Sequence, residues 1–386
     1  MKYQEQRKIQ SEIRHLQIPA LLAAVLLVGS NAFVLSPILS EVARGLGTDP
    51  FRIAWSLSTF GAATAISALT LATLIDRIPT GRALGGAALL LALAQASSGV
   101  SQSWLWLCLS QAMAGIATGV LLPGSYAAAI ATAPKGRESA RLGIVLTGWA
   151  LSLVLAVPLA AFVAERLGWR TVYGLLAAVS AVTAFCLMQA LRDVWNQTTV
   201  RTPPWRALRL PGVALLLAVM FTYMTAFYGS FAFFGEGLRH AFGLSAQGTG
   251  VFVLAYGLGF GMAGIGLGIV APRISRHYIM LVLIAIVMSY AGWRFALTTQ
   301  LIAFAASMVW GVLNQFALNA LVVSLNHRAA GARGAVMGLN SAVTYSAVFA
   351  GPVVMGSVYT SSGFEAVTAL AALFVAIGAA IGWKIR

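Results

Sequence analysis

Residues 191–211 read LRDVWNQTTVRTPPWRALRLP, and this polar stretch decides the fold because it divides an otherwise apolar chain into two parts of similar length. It contains four arginines and two tryptophans and is the longest connection between apolar segments. Six apolar segments precede it and six follow it. We therefore predict two units, residues 1–191 and 212–386, joined by a central loop over residues 192–211.

The apolar segments are long enough to cross a bilayer, which takes roughly 20 residues of helix. In hydrocarbon the backbone must be hydrogen-bonded internally, so each segment is expected to be a helix. The sequence predicts an all-α membrane protein with twelve transmembrane helices in two pseudo-symmetric six-helix bundles. The predicted spans lie near residues 17–38, 51–75, 83–101, 104–131, 142–163, 171–190, 212–234, 248–270, 278–297, 299–323, 336–357 and 365–384.

The composition agrees with a membrane protein. Of 386 residues, 59% are hydrophobic and 9% are charged, whereas soluble domains have about 45–50% and about 25%. The formal net charge of +15 has a topological explanation. If both termini lie on one side, 19 of the 25 basic residues share that side, which predicts cytoplasmic termini in a bacterial inner (plasma) membrane. The charge is thus an orientation signal, and no nucleic-acid partner is expected.

The two halves repeat each other at nearly constant spacing, which is typical of duplicated bundles. Paired six-helix halves with a central loop resemble the major facilitator superfamily, in which a site near mid-membrane faces each side in turn. The following pairs carry the repeat: Arg77-Ile78 and Arg273-Ile274 (offset 196), Ala140-Arg141 and Ala332-Arg333 (192), Pro158 and Pro352 (194), and Gly168-Trp169 and Gly363-Phe364 (195).

The loop after the second span, LIDRIPTGR at residues 74–82, resembles the cytoplasmic signature of this superfamily. The resemblance implies that Asp76, Arg77 and Arg82 form a charge network that latches helix ends on the inner face. Such contacts are individually weak, but they bias one conformation. The alternative is an ordinary basic turn.

The fifth span resembles the signature of bacterial twelve-helix exporters of drugs, sugars and amino acids. That signature is a glycine–proline core, of which Pro158 remains here, and Gly351-Pro352 in the eleventh span fits it better. Proline removes a helix hydrogen bond and glycine permits close packing, so both sites are expected to kink and to gate. A packing kink without a gating role is the alternative.

Coupling chemistry is sparse. None of the ten acids falls at mid-membrane, and Gln111 replaces the arginine that the superfamily's fourth-span signature links to proton transfer. A proton as coupling ion is therefore implied by the resemblance but not favoured by these residues. Glu236 is the best remaining coupling candidate, with a solvated cap as its alternative. Arg294 would either bind an anionic group or extend to the interface.

The resemblance implies that the first, fourth, seventh and tenth spans line the cavity. Their amides and hydroxyls suit a neutral or zwitterionic solute, although each singly would also serve as a helix-to-helix hydrogen bond. The seventh span adds an aromatic face, either a stacking wall or plain packing. The candidate substrate residues are Asn31, Gln111, Tyr223, Phe227, Tyr228, Asn314 and Asn319, with Asn340 and Tyr345 of the eleventh span.

Together these features predict a monomeric secondary transporter of a small organic solute, an exporter that works by alternating access. An uptake permease or uniporter for a neutral, zwitterionic or anionic metabolite is the alternative, and a non-transport membrane sensor is a remote one. No enzyme, metal site or cofactor is expected, because the histidines and acids form no catalytic or ligand set. The solute and the lipid bilayer are the expected partners.

Overall fold

The computed structural model describes residues 15–71, 78–192, 194, 204–269, 274–329 and 332–384, and within these ranges the fold is helical. The α-helices are α1 Gln17–Phe33, α2 Leu35–Gly45, α3 Pro50–Thr70, α4 Thr80–Gly99, α5 Trp104–Ala131, α6 Glu138–Leu151, α7 Val157–Leu167, α8 Trp169–Ala190, α9 Pro204–Leu208, α10 Val213–Phe242, α11 Ala246–Ile269, α12 Arg276–Ala296, α13 Gln300–Arg328 and α14 Arg333–Gly382.

Several helices begin where a short polar side chain caps them. Asp49, Ser103, Ser275 and Thr299 each accept a hydrogen bond from the backbone N–H three residues on, which satisfies a donor that a helix start leaves free. Thr299 separates α12 from α13, so the boundary between the ninth and tenth predicted spans is fixed by a cap rather than by a long loop.

The first predicted span is a broken helix that runs further than expected. α1 and α2 meet at an angle of 54°, and α2 continues to Gly45 instead of ending near residue 38. Pro37 explains the bend, because it has no N–H for the carbonyl of Phe33 and its ring crowds that turn. The bend directs α2 towards the second half of the chain.

The fifth span is irregular at the predicted proline. A π-helical segment, Ser152–Ala156, joins α6 to α7, and the N–H of Val157 bonds to the carbonyl of Ser152, five residues back. Pro158 cannot donate to the preceding turn, and the wider π turn absorbs this defect. The helix is thus modified where the sequence predicts, while a gating role for Pro158 stays a prediction.

Gly363 divides α14 into two helices that match the eleventh and twelfth predicted spans. Its φ is 75°, in the left-handed region that favours glycine, and its ψ is −173°. Gly168, its counterpart in the sequence repeat, has φ 85° and ψ 153° between α7 and α8. The repeated Gly-aromatic pair therefore marks the same sharp turn in both halves.

The predicted number of twelve spans is not reproduced by apolarity and length alone. Nine helices within the described ranges are long and apolar enough to cross a membrane, or ten if α1 and α2 count as one. Helices occupy all twelve expected positions once α14 is divided at Gly363 and the less apolar α4 is included.

The helices pack in the same pairs in each half. α3 packs on α5 and α4 on α8 in the first half, while α11 packs on α13 and α12 on α14 in the second. The halves meet through α3 against α14 and through α7 with the π segment against α11. Of the predicted central loop, the described part includes the short helix α9, and the loop boundaries stay a prediction.

Candidate substrate path and gate

Aromatic side chains from both halves meet where α1 faces α10. The ring of Phe33 lies nearly parallel to that of Tyr228, with centroids 6.1 Å apart and an interplanar angle of 9°. Trp149 packs edge-on against Phe33 at 5.8 Å, and its indole N–H donates to the Tyr126 hydroxyl at 2.8 Å. The Phe33–Tyr228 stack is thus an aromatic contact between the two halves.

Tyr345 extends this region on the α14 side. Its ring packs edge-on against Phe60 of the first half, with centroids 6.2 Å apart. Its hydroxyl is buried and has no hydrogen-bond partner among the described residues. This hydroxyl lies in the same region as those of Tyr126 and Tyr228. We call Phe33, Phe60, Tyr126, Trp149, Tyr228 and Tyr345 the central aromatic cluster.

The aromatic face predicted on the seventh span is buried against other helices. Phe227 and Phe231 contact Phe33 of the first half and Trp310 of α13. Phe234 packs against Trp293 at 5.4 Å. Most of this face therefore builds the core of the second half, and its contact with the first half goes through Phe33.

Two predicted substrate residues hold α10 to α13. The Tyr223 hydroxyl lies 2.7 Å from Oδ1 of Asn314 and 3.1 Å from its backbone carbonyl. The Asn314 amide donates to the carbonyl of Trp310 at 2.8 Å. Both side chains are buried, so this pair acts as a helix-to-helix hydrogen bond.

Asn31 and Gln111 also converge, within a network of amides and hydroxyls. The Asn31 amide donates to Oε1 of Gln111 at 2.9 Å, and Gln111 donates to Ser98 at 3.1 Å. Gln95 lies 3.4 Å from Oδ1 of Asn31 and accepts from Ser180 at 2.6 Å. Sequence reasoning missed Gln95, Ser98 and Ser180, because the resemblance drew attention away from the third and sixth spans.

Replacing Gln95 by leucine is expected to destabilise the protein. Asn31 and Ser180 would each lose a partner inside a buried network, at a cost of about 1–3 kcal/mol. The measurement is the thermal unfolding midpoint of the detergent-purified protein. Gln189→Leu, at an exposed position of α8, is the control and should leave the midpoint unchanged. Equal midpoints for both variants would show that the network contributes nothing.

Hydrogen bonds and ion pairs between the halves gather at one end of the molecule. Arg239 of α10 pairs with Glu41 of α2 at 2.7 Å, with side-chain exposures of 18% and 15%, and Ser40 donates to Glu236. Every such bond between described residues of the two halves lies at this end. We call it the latched end; its other bonds are Ser36 to the Phe231 carbonyl at 2.5 Å, the Gly235 N–H to Ser36 at 3.4 Å, Arg239 to the Pro37 carbonyl at 3.5 Å, Thr249 to the Pro37 carbonyl at 3.2 Å and the Gln247 N–H to Glu165 at 2.8 Å.

The remaining predicted residues are scattered. Glu236 is half-buried and bonded across the halves, six residues before the end of α10, so it is not a terminal cap. The Arg294 side chain is exposed and lies 3.9 Å from Glu365, away from the interface between halves. Arg82 is exposed, whereas Asp76 and Arg77 lie outside the described residues.

The predicted proline and glycine sites lie at close helix contacts. Pro158 lies against Gly250 of α11 across the halves. Gly351 and Gly229 approach so closely that a Cβ on either would meet backbone of the other at 2.6–2.8 Å, and Pro352 follows inside α14. Asn319 and Asn340 are half-buried, and Oδ1 of Asn340 has no partner among the described residues.

Residues 21–352 match the Major Facilitator Superfamily. The chain belongs to this superfamily. It is 26% identical over 368 residues to the "Uncharacterized MFS-type transporter YwfA" of Bacillus subtilis (strain 168), a match that covers 93% of this chain and 89% of that protein. A second MFS-type transporter of the same organism, YceJ, is 23% identical over 373 residues, with 91% of each chain covered.

Two solved structures share the fold. A bacterial homologue of the human lysosomal transporter Spinster, inward-facing and unoccupied, superposes with a TM-score of 0.75 at 14% identity over 96% of both chains. Its occupied inward-facing form gives 0.74 at 15% identity over 95% of both chains. The predicted resemblance is confirmed, and this major facilitator protein is an integral membrane transporter.

Proposed function

We propose that this major facilitator protein is a secondary transporter that exports a small organic solute across the inner membrane. The bond pattern between halves supports alternating access, because polar contacts between described residues of the two halves occur at one end only. Residues 1–191 and 212–386 would rock about the central aromatic cluster. The surplus of basic residues on the side of the termini favours placing the latched end outside.

The latched end has the properties of a reversible gate. Its bonds are several and individually modest, since partly exposed ion pairs contribute about 0–1 kcal/mol each. A solute that binds one state a few kcal/mol better than the other can therefore shift the equilibrium. The loop with Asp76, Arg77 and Arg82 is proposed as the matching latch at the opposite end.

An uptake permease or uniporter is the second candidate. The amide network supports it, because neutral side chains surround Gln111 where the superfamily signature has an arginine. A transporter without an ionisable group at this position has less reason to couple to protons. Such a protein would be uncoupled, and the direction of net transport would follow the solute gradient alone.

Loosening the latch should expose the outer end of α7. Arg239→Gln removes the ion pair with Glu41, so Ala161→Cys, buried in the parent, is expected to react several-fold faster with an impermeant maleimide added to intact cells. Cys108 and Cys186 are replaced by alanine in all variants. Arg166→Gln, an exposed arginine near the same end that packs on the Phe162 ring, is the matched control.

Equal labelling rates in Arg239→Gln and Arg166→Gln would contradict a latch at this end. Labelling confined to inverted vesicles would reverse the proposed orientation. Direction is measured with radiolabelled glucose, alanine, lactate and N-acetyltyrosinamide in inverted and right-side-out vesicles. Accumulation of a solute in inverted vesicles indicates export, and accumulation that survives a protonophore excludes proton antiport.

A further inference from the structure

We infer that the central aromatic cluster is the substrate site, and that it takes a neutral, ring-bearing solute with hydrogen-bonding groups. The inference rests on the proposed function and names its substrate class. Three observations carry it: the parallel rings of Phe33 and Tyr228 and, among the described residues, the unpartnered hydroxyl of Tyr345 and the absence of charge pairing within the cluster.

The ring geometry suits the insertion of a third aromatic group. A flat ring stacked between two others needs about 7 Å between the outer planes, two contacts of about 3.5 Å each. The centroids of Phe33 and Tyr228 are 6.1 Å apart, and the distance between two nearly parallel ring planes cannot exceed the centroid distance. The planes must therefore move apart by at least about 1 Å. Because the two rings belong to different halves, the rocking motion supplies this separation. Trp149, edge-on to Phe33, would close the side of such a slot.

The cluster also offers hydrogen-bond donors. The buried Tyr345 hydroxyl has no partner among the described residues, and an unmade buried hydrogen bond is unfavourable until a ligand satisfies it. The Tyr126 hydroxyl accepts from Trp149 and keeps its own proton to donate. Phenols donate without carrying charge near neutral pH. A carbonyl or hydroxyl on the solute is the fitting acceptor.

Charge on the solute is disfavoured at this position. Among the described residues, the ion pairs lie at helix ends and the arginine–ring contacts involve Phe162, Trp169 and Trp383, which are outside the cluster. A carboxylate or ammonium group would enter without a counter-ion, which is unfavourable away from water. Aromatic faces alone attract cations, so an aromatic cation is the competitor that the test must include.

The test measures solute affinity from the dose-dependent rise of the unfolding midpoint of the purified full-length protein. Two matched pairs separate the ring from the polar groups: phenyl β-glucoside with methyl β-glucoside, and N-acetyltyrosinamide with N-acetylalaninamide. The aryl member of each pair should bind, and the alkyl member should not. Phenyltrimethylammonium should bind more weakly than either aryl compound.

Tyr345→Phe is expected to weaken aryl binding about tenfold, while Tyr228→Leu should abolish it. Tyr359→Phe, in the same helix but stacked on Phe233, is the matched control and should bind like the parent. Tyr345→Phe keeps the ring and the fold, so lost affinity would not reflect unfolding.

The inference would be overturned by equal shifts within each pair, by no aryl binding, by tighter binding of the cation, or by parent-like affinity in Tyr345→Phe. The labelling of Ala161→Cys needs no solute. If that labelling responds to Arg239→Gln while the aryl series fails, the aromatic class falls and the proposed transport mechanism stands. If the labelling fails, the proposed latch and the rocking mechanism fall, whatever the aryl series shows.

Discussion

A disulfide between Ala161→Cys and Gly250→Cys is expected to abolish transport, and a reductant should restore it. Ala161 lies in α7 near the latched end of the molecule. Its Cβ is 2.8 Å from the position that a Cβ on Gly250 of α11 would occupy. A disulfide holds its two Cβ atoms about 3.8 Å apart, so the backbones need to move by about 1 Å. The bond would hold the two halves together at the end that must open during the cycle.

The measurement is vesicle transport of the radiolabelled solutes before and after mild oxidation, in the background without Cys108 and Cys186. Each single cysteine variant is the control and should transport equally in both conditions. Full transport by a quantitatively cross-linked protein would mean that α7 and α11 stay together throughout the cycle, which would refute rocking of the two halves about the aromatic cluster.

Gly259→Ala is expected to cause a large loss of folded protein. A Cβ at this position would lie 2.0 Å from the carbonyl oxygen of Met308, and one on Gly311 would lie 2.0 Å from that of Tyr256. Both obstacles are backbone, so α11 and α13 would have to move apart along their crossing. Overpacking of this kind lowers the free energy of unfolding by about 1–3 kcal/mol. Moving the two helices apart would also loosen the packing around Trp310.

Gly266→Ala supplies the matched control, since it lies in the same helix with nothing within 4 Å of the added Cβ. Alanine favours helix over glycine, so this variant should equal or exceed the parent in stability. Yield of monodisperse protein and the unfolding midpoint are the measurements. A Gly259→Ala variant as stable as Gly266→Ala would show that the crossing yields easily.

The duplicated architecture was largely predictable from the sequence because its signals are local. Apolar length places each helix, basic loops suggest the topology, and proline or glycine marks each irregular turn. The structure extends the repeat to a contact: a Cβ on Gly115 would lie 2.3 Å from the Phe60 carbonyl, and Gly311 meets the Tyr256 carbonyl at the same offset of 196. Gly115 lies four residues after Gln111 in the fourth span, but nothing local in the sequence identifies Phe60 as its neighbour.

The site was predicted less well, because membership of a helix does not tell which neighbour a side chain meets. The sequence singles out Asn31 and Gln111 as candidate substrate residues, whereas in the structure they bond to each other and Asn31 also accepts from Gln95. Neither Phe33 nor Trp149 was among the candidate substrate residues, because nothing local in the sequence distinguishes them from other apolar residues. A count of acids favoured Glu236 but gave no reason to pair Glu41 with Arg239.

The sequence by itself determined the positions of the helices and the two-fold repeat, since these follow from hydrophobic length and local turn chemistry, and its motifs carried the resemblance to the superfamily. Only the tertiary structure decided that the bonds between described residues of the two halves gather at one end, that the amides of the first bundle satisfy one another, and that the Tyr345 hydroxyl, among aromatic rings, has no partner among the described residues. These contacts join residues far apart in the chain. They depend on how each helix is rotated about its axis and where it crosses its neighbours, and hydrophobic spans in a membrane leave both choices open until the helices pack.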